Sequence, residues 1–158
     1  MRTGSRRRRL DLKAGAIRNC YISLGSLSIR TMKLTDKAAA LIDGKNFGNL
    51  AFVTPSGEPH VSPVWVDRDG DIILINAAEF RVKVKSLKEN QKVMLSITDQ
   101  KNPYDRVLIR GHVVKMTKDG ALDHNNRLSV KYLGTKDDPD RPAGDRVMIK
   151  IQPDKITK

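Results

Sequence analysis

Apolar residues recur along this chain in short bursts, mostly with a period of two, and turn-forming residues separate the bursts. Leu50-Ala51-Phe52-Val53-Thr54 reads as a strand and Pro55-Ser56-Gly57-Glu58 as the turn after it. Pro59–Asp67 resumes as a second strand carrying Val61, Val64, Trp65 and Val66, and Arg68-Asp69-Gly70-Asp71 is an Asp-Gly hairpin turn. Ile72–Ile75 is apolar on both faces, which predicts a buried third strand. Val93–Ile97 and Arg106–Met116 give the fourth and fifth, the latter with Gly111 inside it as a bulge or bend. Val147–Ile151 gives the sixth.

Three segments read as helices. Lys37–Ile42 has a cap in Thr35 or Asp36 and a stop in Gly44. Asp119–Leu133 carries Leu122, Leu128, Tyr132 and Leu133 and ends at Gly134. Phe80–Asn90 holds two signals: Arg81–Lys85 alternates like a strand, whereas Phe80, Val84 and Leu87 fall at helical spacing. A short helix is the expected outcome. The sum is a mainly β chain with flanking helices: a small six-stranded antiparallel barrel, whose closure removes the exposed edges such strands otherwise present.

Composition narrows the class. At 158 residues, 39% hydrophobic and 30% charged, the chain is the size and balance of one soluble domain. Its apolar runs are too short to cross a bilayer, so a cytoplasmic protein with no membrane partner is expected. Cys20 is the single cysteine, which excludes an internal disulfide framework. With only His60, His112 and His124 beside it, no good ligand set for zinc remains, and no metal is expected.

Charge is unevenly spread. Residues 1–31 hold eight basic residues, including Arg6–Arg9, and one acid, Asp11; they account for +7 of the +12 net charge and leave +5 for the rest. This segment has no sustained period and reads as a basic, disordered extension to a domain spanning 32–158. It suits a nucleic-acid-binding arm, a mitochondrial-type presequence, or an upstream extension to a chain that starts at Met32.

Candidate chemistry is sparse. The sequence has no nucleophile elbow, phosphate loop or dinucleotide fingerprint. His60 and His112 sit within predicted strands, and His124 falls on what reads as a solvated helix face. One basic cluster stands out. The third strand ends at Asn76-Ala77-Ala78, and Arg81, Lys83, Lys85 and Lys88 follow where a helix begins. Such a place favours an anion, although the same residues also suit a solvated helix face. Trp65, the only tryptophan, lies in Ser62-Pro63-Val64-Trp65, either as a core aromatic or as a border for a flat ring. Asn102-Pro103-Tyr104 is a loop whose aromatic residue is placed to cover a ligand.

The order of these pieces resembles the pyridoxamine 5′-phosphate oxidase-like superfamily, with its split β-barrel, and within it the group of probable F-420-dependent enzymes. The matching residues run from Gly57–Val66 through Ile75-Asn76-Ala77 and Arg81-Val82-Lys83 to Asp99–Tyr104, Arg110–Val114, Asp119-Gly120-Ala121, Tyr132-Leu133-Gly134, Arg146-Val147 and Ile151-Gln152-Pro153.

The resemblance implies a homodimer with a flavin or deazaflavin at the subunit interface, F-420 being the first choice and FMN the second. It implies that Arg81 and Lys83 hold the cofactor phosphate, that Asn76 and Ala77 line the phosphate side, and that Pro63, Val64 and Trp65 border the ring. Tyr104 would come from the partner chain, and Lys83, Lys85, Lys88 and Lys92 follow along one stretch placed to attract an oligoglutamate tail. Where the family usually shows Arg-Asn-Leu, this chain has Lys85-Ser86-Leu87, so one amide support is lost. The implied activity is hydride transfer to or from a small molecule, with the cofactor supplying the chemistry and no catalytic side chain identified. Pyridoxamine phosphate is a poor substrate choice, because no second phosphate-binding cluster is evident late in the sequence. The alternatives are a non-catalytic binder of flavin, F-420 or haem on the same fold, and, more remotely, a nucleic-acid binder acting through residues 1–31.

Overall fold

The computed structural model describes residues 32–136 and 138–158. The basic extension over 1–31, with Cys20, lies outside the described residues. Among these, six strands and three helices follow in the order α1 (Asp36–Asp43), β1 (Phe47–Val53), β2 (Pro59–Asp69), β3 (Ile72–Ala78), α2 (Val82–Glu89), β4 (Lys92–Thr98), β5 (Arg106–Thr117), α3 (Ala121–Leu133) and β6 (Arg146–Thr157). The strands form a closed barrel in the order β1-β2-β3-β6-β5-β4, every pairing antiparallel. This is the mainly β, six-stranded split barrel that the alternation predicts. No described helix is long and apolar enough to cross a membrane.

The period-two pattern sets the interior. Leu50 and Phe52 of β1, Val93, Leu95 and Ile97 of β4, and Val107, Ile109 and Val113 of β5 all point inward. Ile73 and Ile75 of β3 meet Ile149 and Ile151 of β6 in register and complete the core. Gly48 is part of this packing: a Cβ there would stand 2.8 Å from Val66 and 2.9 Å from Leu95. Helix α1 closes one end with Ala38, Leu41 and Ile42. Its first turn is capped by the Thr35 hydroxyl, which accepts from the Ala38 N–H at 3.2 Å.

Two strands run further than their apolar runs. β3 continues through Asn76 to Ala78 because its backbone keeps pairing with β6. β6 continues past Pro153, a residue that removes a ladder donor and so reads as a strand end. Here the proline sits at a bulge: Arg110 pairs with Lys155 and Gly111 with Pro153, so Asp154 is the extra residue. The backbones approach so closely that a Cβ at Gly111 would lie 2.5 Å from the Gln152 carbonyl oxygen.

Helix α3 corrects one sequence expectation. Its buried side is Ala121, His124, Asn125, Leu128, Ser129 and Tyr132, whereas Leu122 and Leu133 are exposed. His124 is therefore not solvated; it is 0% exposed. The helix docks with a mixed polar stripe inward, and the barrel side meets two of its members, Tyr132 and His124 Nδ1, with hydrogen-bonding groups. The Tyr132 hydroxyl accepts from the Val66 N–H at 3.0 Å and donates to the Asn46 carbonyl at 2.6 Å.

Candidate functional site

A cavity of about 570 Å3 opens where β2, β3 and β6 meet α2 and α3. One wall is apolar and aromatic: Phe47, Pro63, Val64, Trp65, Leu128 and Pro142. The lining also holds three cations. Arg81 is the residue at the head of α2, an end that no side chain caps, and Lys83 lies in the first turn. Arg146 begins β6 and pairs with Ala78 at the end of β3. Antiparallel pairing of β3 with β6 thus brings a late arginine beside the early basic cluster.

Among the described residues, no acid lines the cavity, and none of the three cations forms an ion pair. Their electrostatics show the consequence. Lys83 is held below the usual ammonium range, first by burial and then by the charges of Arg81 and Arg146. Arg146 is likewise pushed down, first by burial and next by Arg141, with Arg81 adding to it and Asp138 opposing. Like charges that repel one another, two of them half-buried and none ion-paired among the described residues, suit a site for an anion.

The Arg146 guanidinium is aimed by Asn76, whose Oδ1 accepts from Nε at 2.7 Å. The Asn76 amide is anchored in turn: Nδ2 donates to the Ala121 carbonyl at 2.7 Å and lies 3.3 Å from His124 Nδ1. Two further polar atoms at the cavity, Ser62 Oγ and Asn125 Nδ2, are buried without a hydrogen-bond partner among the described residues. Such groups are costly to bury.

Seven of the nine residues singled out from the sequence border this one cavity: Pro63, Val64, Trp65, Asn76, Ala77, Arg81 and Lys83. Two do not. Lys88 faces away, 4.0 Å from Glu79, and Tyr104 projects from the loop between β4 and β5 with 93% of its surface exposed. Sequence reasoning missed Ser62, Asn125 and Arg146, and it read His60, which also lines the cavity, as an ordinary strand residue. The helical spacing that buries Asn125 with Ala121 and Leu128 was a usable signal. Arg146 was singled out only as part of the motif Arg146-Val147, with no site role, because its partners lie far away in the chain. Ser86, which replaces the family's amide, is buried with its hydroxyl unpartnered among the described residues.

Comparison with known proteins agrees with the fold. The sequence model of the pyridoxamine 5′-phosphate oxidase family matches residues 34–158. No curated protein matches the chain. Among solved structures, one named F420 reductase is 28% identical with a TM-score of 0.70, over 78% of this chain and 98% of that one. A conserved protein of Mycobacterium tuberculosis (20% identity, TM-score 0.62, 80% and 85% covered) shares the fold. So does general stress protein 26 of Bacillus anthracis (21%, 0.56, 76% and 88%).

Proposed function

The chain belongs to the pyridoxamine 5′-phosphate oxidase family, and from that premise we propose that it is an oxidoreductase. It would hold F-420, or FMN as the second choice, and pass hydride between that cofactor and a small organic substrate. The observation that carries this reading is a cavity whose lining joins apolar surface to clustered cations. Trp65, Val64 and Leu128 offer apolar surface, and Arg81, Lys83 and Arg146 offer positive charge without an ion-pair partner among the described residues. A ligand that joins a planar ring to a phosphate satisfies both.

The residues present fit such a group. Arg81, Lys83 and Arg146 offer charge for a phosphate, and Val64, Trp65 and Leu128 offer apolar surface for a ring, within the same cavity. When bound, the cofactor supplies the hydride chemistry. The chain's own residues bind and orient it. The cations grip the phosphate, Asn76 keeps Arg146 turned toward it, and the apolar wall excludes water. The likeness to an F420 reductase supports F-420 over FMN.

The homodimer belongs to the same proposal. The outer face of β2, β1 and β4 carries Val61, Val53 and Met94, all exposed, with Val61 and Met94 both paired to Ala51 in register. Val61 is 64% exposed, and the strip continues through Pro63 to Trp65 at the cavity. A second copy laid on this face would bury the strip and complete the cavity wall, with Tyr104 of the partner subunit as its expected contribution.

The test is to titrate the purified protein separately with FMN and F-420 while following Trp65 emission. Saturable quenching by one of them at micromolar concentration or below is expected. Absence of binding by both rejects the reading. Lys85→Ala and Lys88→Ala should weaken F-420 binding more than FMN binding if these lysines attract an oligoglutamate tail. Sedimentation should show a dimer that Val61→Lys disrupts.

A further inference from the structure

The buried His124 has no part in the cavity wall, yet it touches the residue that aims the wall's arginine. Asn76 has its amide set from two sides. Oδ1 accepts from Arg146 Nε at 2.7 Å, and Nδ2 donates to the Ala121 carbonyl at 2.7 Å. Turning the amide over would set oxygen against oxygen at Ala121 and N–H against N–H at Arg146, so this orientation alone satisfies the network. With Nδ2 as donor, His124 Nδ1 at 3.3 Å is an acceptor and carries no proton.

A neutral imidazole with a bare Nδ1 holds its proton on Nε2. That atom has no hydrogen-bond partner among the described residues, and its nearest carboxylate oxygen, Asp67 Oδ2, is 3.6 Å away. Burial keeps the ring uncharged, and its pKa is pulled from 6.5 to about 4. An imidazolium, or the opposite tautomer, would present an N–H to the Asn76 amide group and drive it to turn over.

We propose that His124 is a positioning residue: its Nδ1 lone pair locks the Asn76 amide so that Oδ1 receives Arg146, and the guanidinium is thereby held facing Lys83 and Arg81 before any ligand arrives. The linkage runs from α3 through β3 to β6. It accounts for an ionisable side chain placed in a fully buried position behind an anion site. It rests on the reading of the cavity as a phosphate site, and it adds a cause for that site's preorganisation.

Long-range proton–nitrogen NMR of the uniformly labelled protein without ligand reads the tautomer directly, with the His124 signals assigned by their loss in His124→Asn. The Nε2–H neutral form at pH 7 is expected; an Nδ1–H form or an imidazolium at that pH overturns the proposal. This measurement uses the unaltered chain, so it decides the matter even if a variant fails to fold.

FMN and F-420 titrations supply the second readout. His124→Asn, which replaces Nδ1 with a side-chain oxygen, should keep affinity within about threefold. His124→Leu, which offers no acceptor, should lose about tenfold or more. Equal affinities for the two variants overturn the positioning role. Failure of the unaltered protein to bind either cofactor overturns the proposed function instead, and the tautomer result separates the two failures.

Discussion

Trp65 lies flat on Tyr132, with ring centroids 5.2 Å apart and planes only 4° from parallel. The stack joins a cavity-lining side chain on β2 to the buried face of α3. Phe47 packs on the same tyrosine at 5.3 Å, so three aromatic residues from three elements form one cluster behind the cavity lining. Tyr132 is held by its hydroxyl as well as its ring. Removing that oxygen in Tyr132→Phe leaves the Val66 N–H and the Asn46 carbonyl without it. A stability loss of about 1–3 kcal/mol in urea denaturation is expected. Because the ring remains, cofactor affinity should move little, which separates a structural tyrosine from a ligand-binding one.

The three unpaired cations predict opposite effects on stability and binding. Lys83→Met removes a half-buried charge that burial and two arginines already disfavour. Ligand-free protein should therefore be as stable as wild type, or more so, by thermal melting. Phosphate-dependent binding should weaken by about tenfold or more, equivalent to roughly 1.4 kcal/mol. A variant that lost stability and kept its affinity would contradict the anion reading of this cavity.

His124 predicts an acid-side slope in stability. Above pH 6.5 the ring is neutral in both the folded and the unfolded chain and contributes nothing. As pH falls from 6.5 towards 4, the unfolded chain takes up a proton that the folded chain refuses, so the folded state loses stability. The full loss is on the order of 3 kcal/mol once pH reaches about 4. Asp67 on β2 offsets part of the burial effect, whereas Arg127 on α3 and Lys150 and Arg146 on β6 add to it. Chemical denaturation between pH 7 and 4.5 should show a shallower decline for His124→Asn than for the wild type.

The bulge between β5 and β6 predicts a severe effect from a single methyl group. In Gly111→Ala the new Cβ meets the Gln152 backbone oxygen at 2.5 Å, and a main-chain atom cannot move aside as a flexible side chain does. A loss of roughly 2 kcal/mol or more is expected by denaturant titration. Ala substitution at Gly57, which has nothing near it, tests backbone conformation alone and should cost less.

Much of the architecture is legible in the order of residues. Alternating apolar residues and turns such as Asp69-Gly70 and Pro55-Ser56-Gly57 report local geometry, and local geometry is what a strand or hairpin requires. The ambiguous stretch after β3 resolves as a helix because Val84 and Leu87 find the barrel, which its alternating lysines conceal. The apolar positions of α3 mislead in the other direction. Leu122 and Leu133 suggest the buried face, yet the barrel takes His124, Asn125 and Ser129 inward because it can hydrogen-bond or enclose them.

Neighbouring residues dictate the strands, the closed sheet they require, and a basic cluster at the end of the third strand, since each depends on positions close together in the chain. Three-dimensional packing was needed to bring β6 back beside β3 and set Arg146 against Asn76, 70 residues apart, with His124 behind them. Strand order is fixed by how all six apolar faces pack at once, and no local period carries that information.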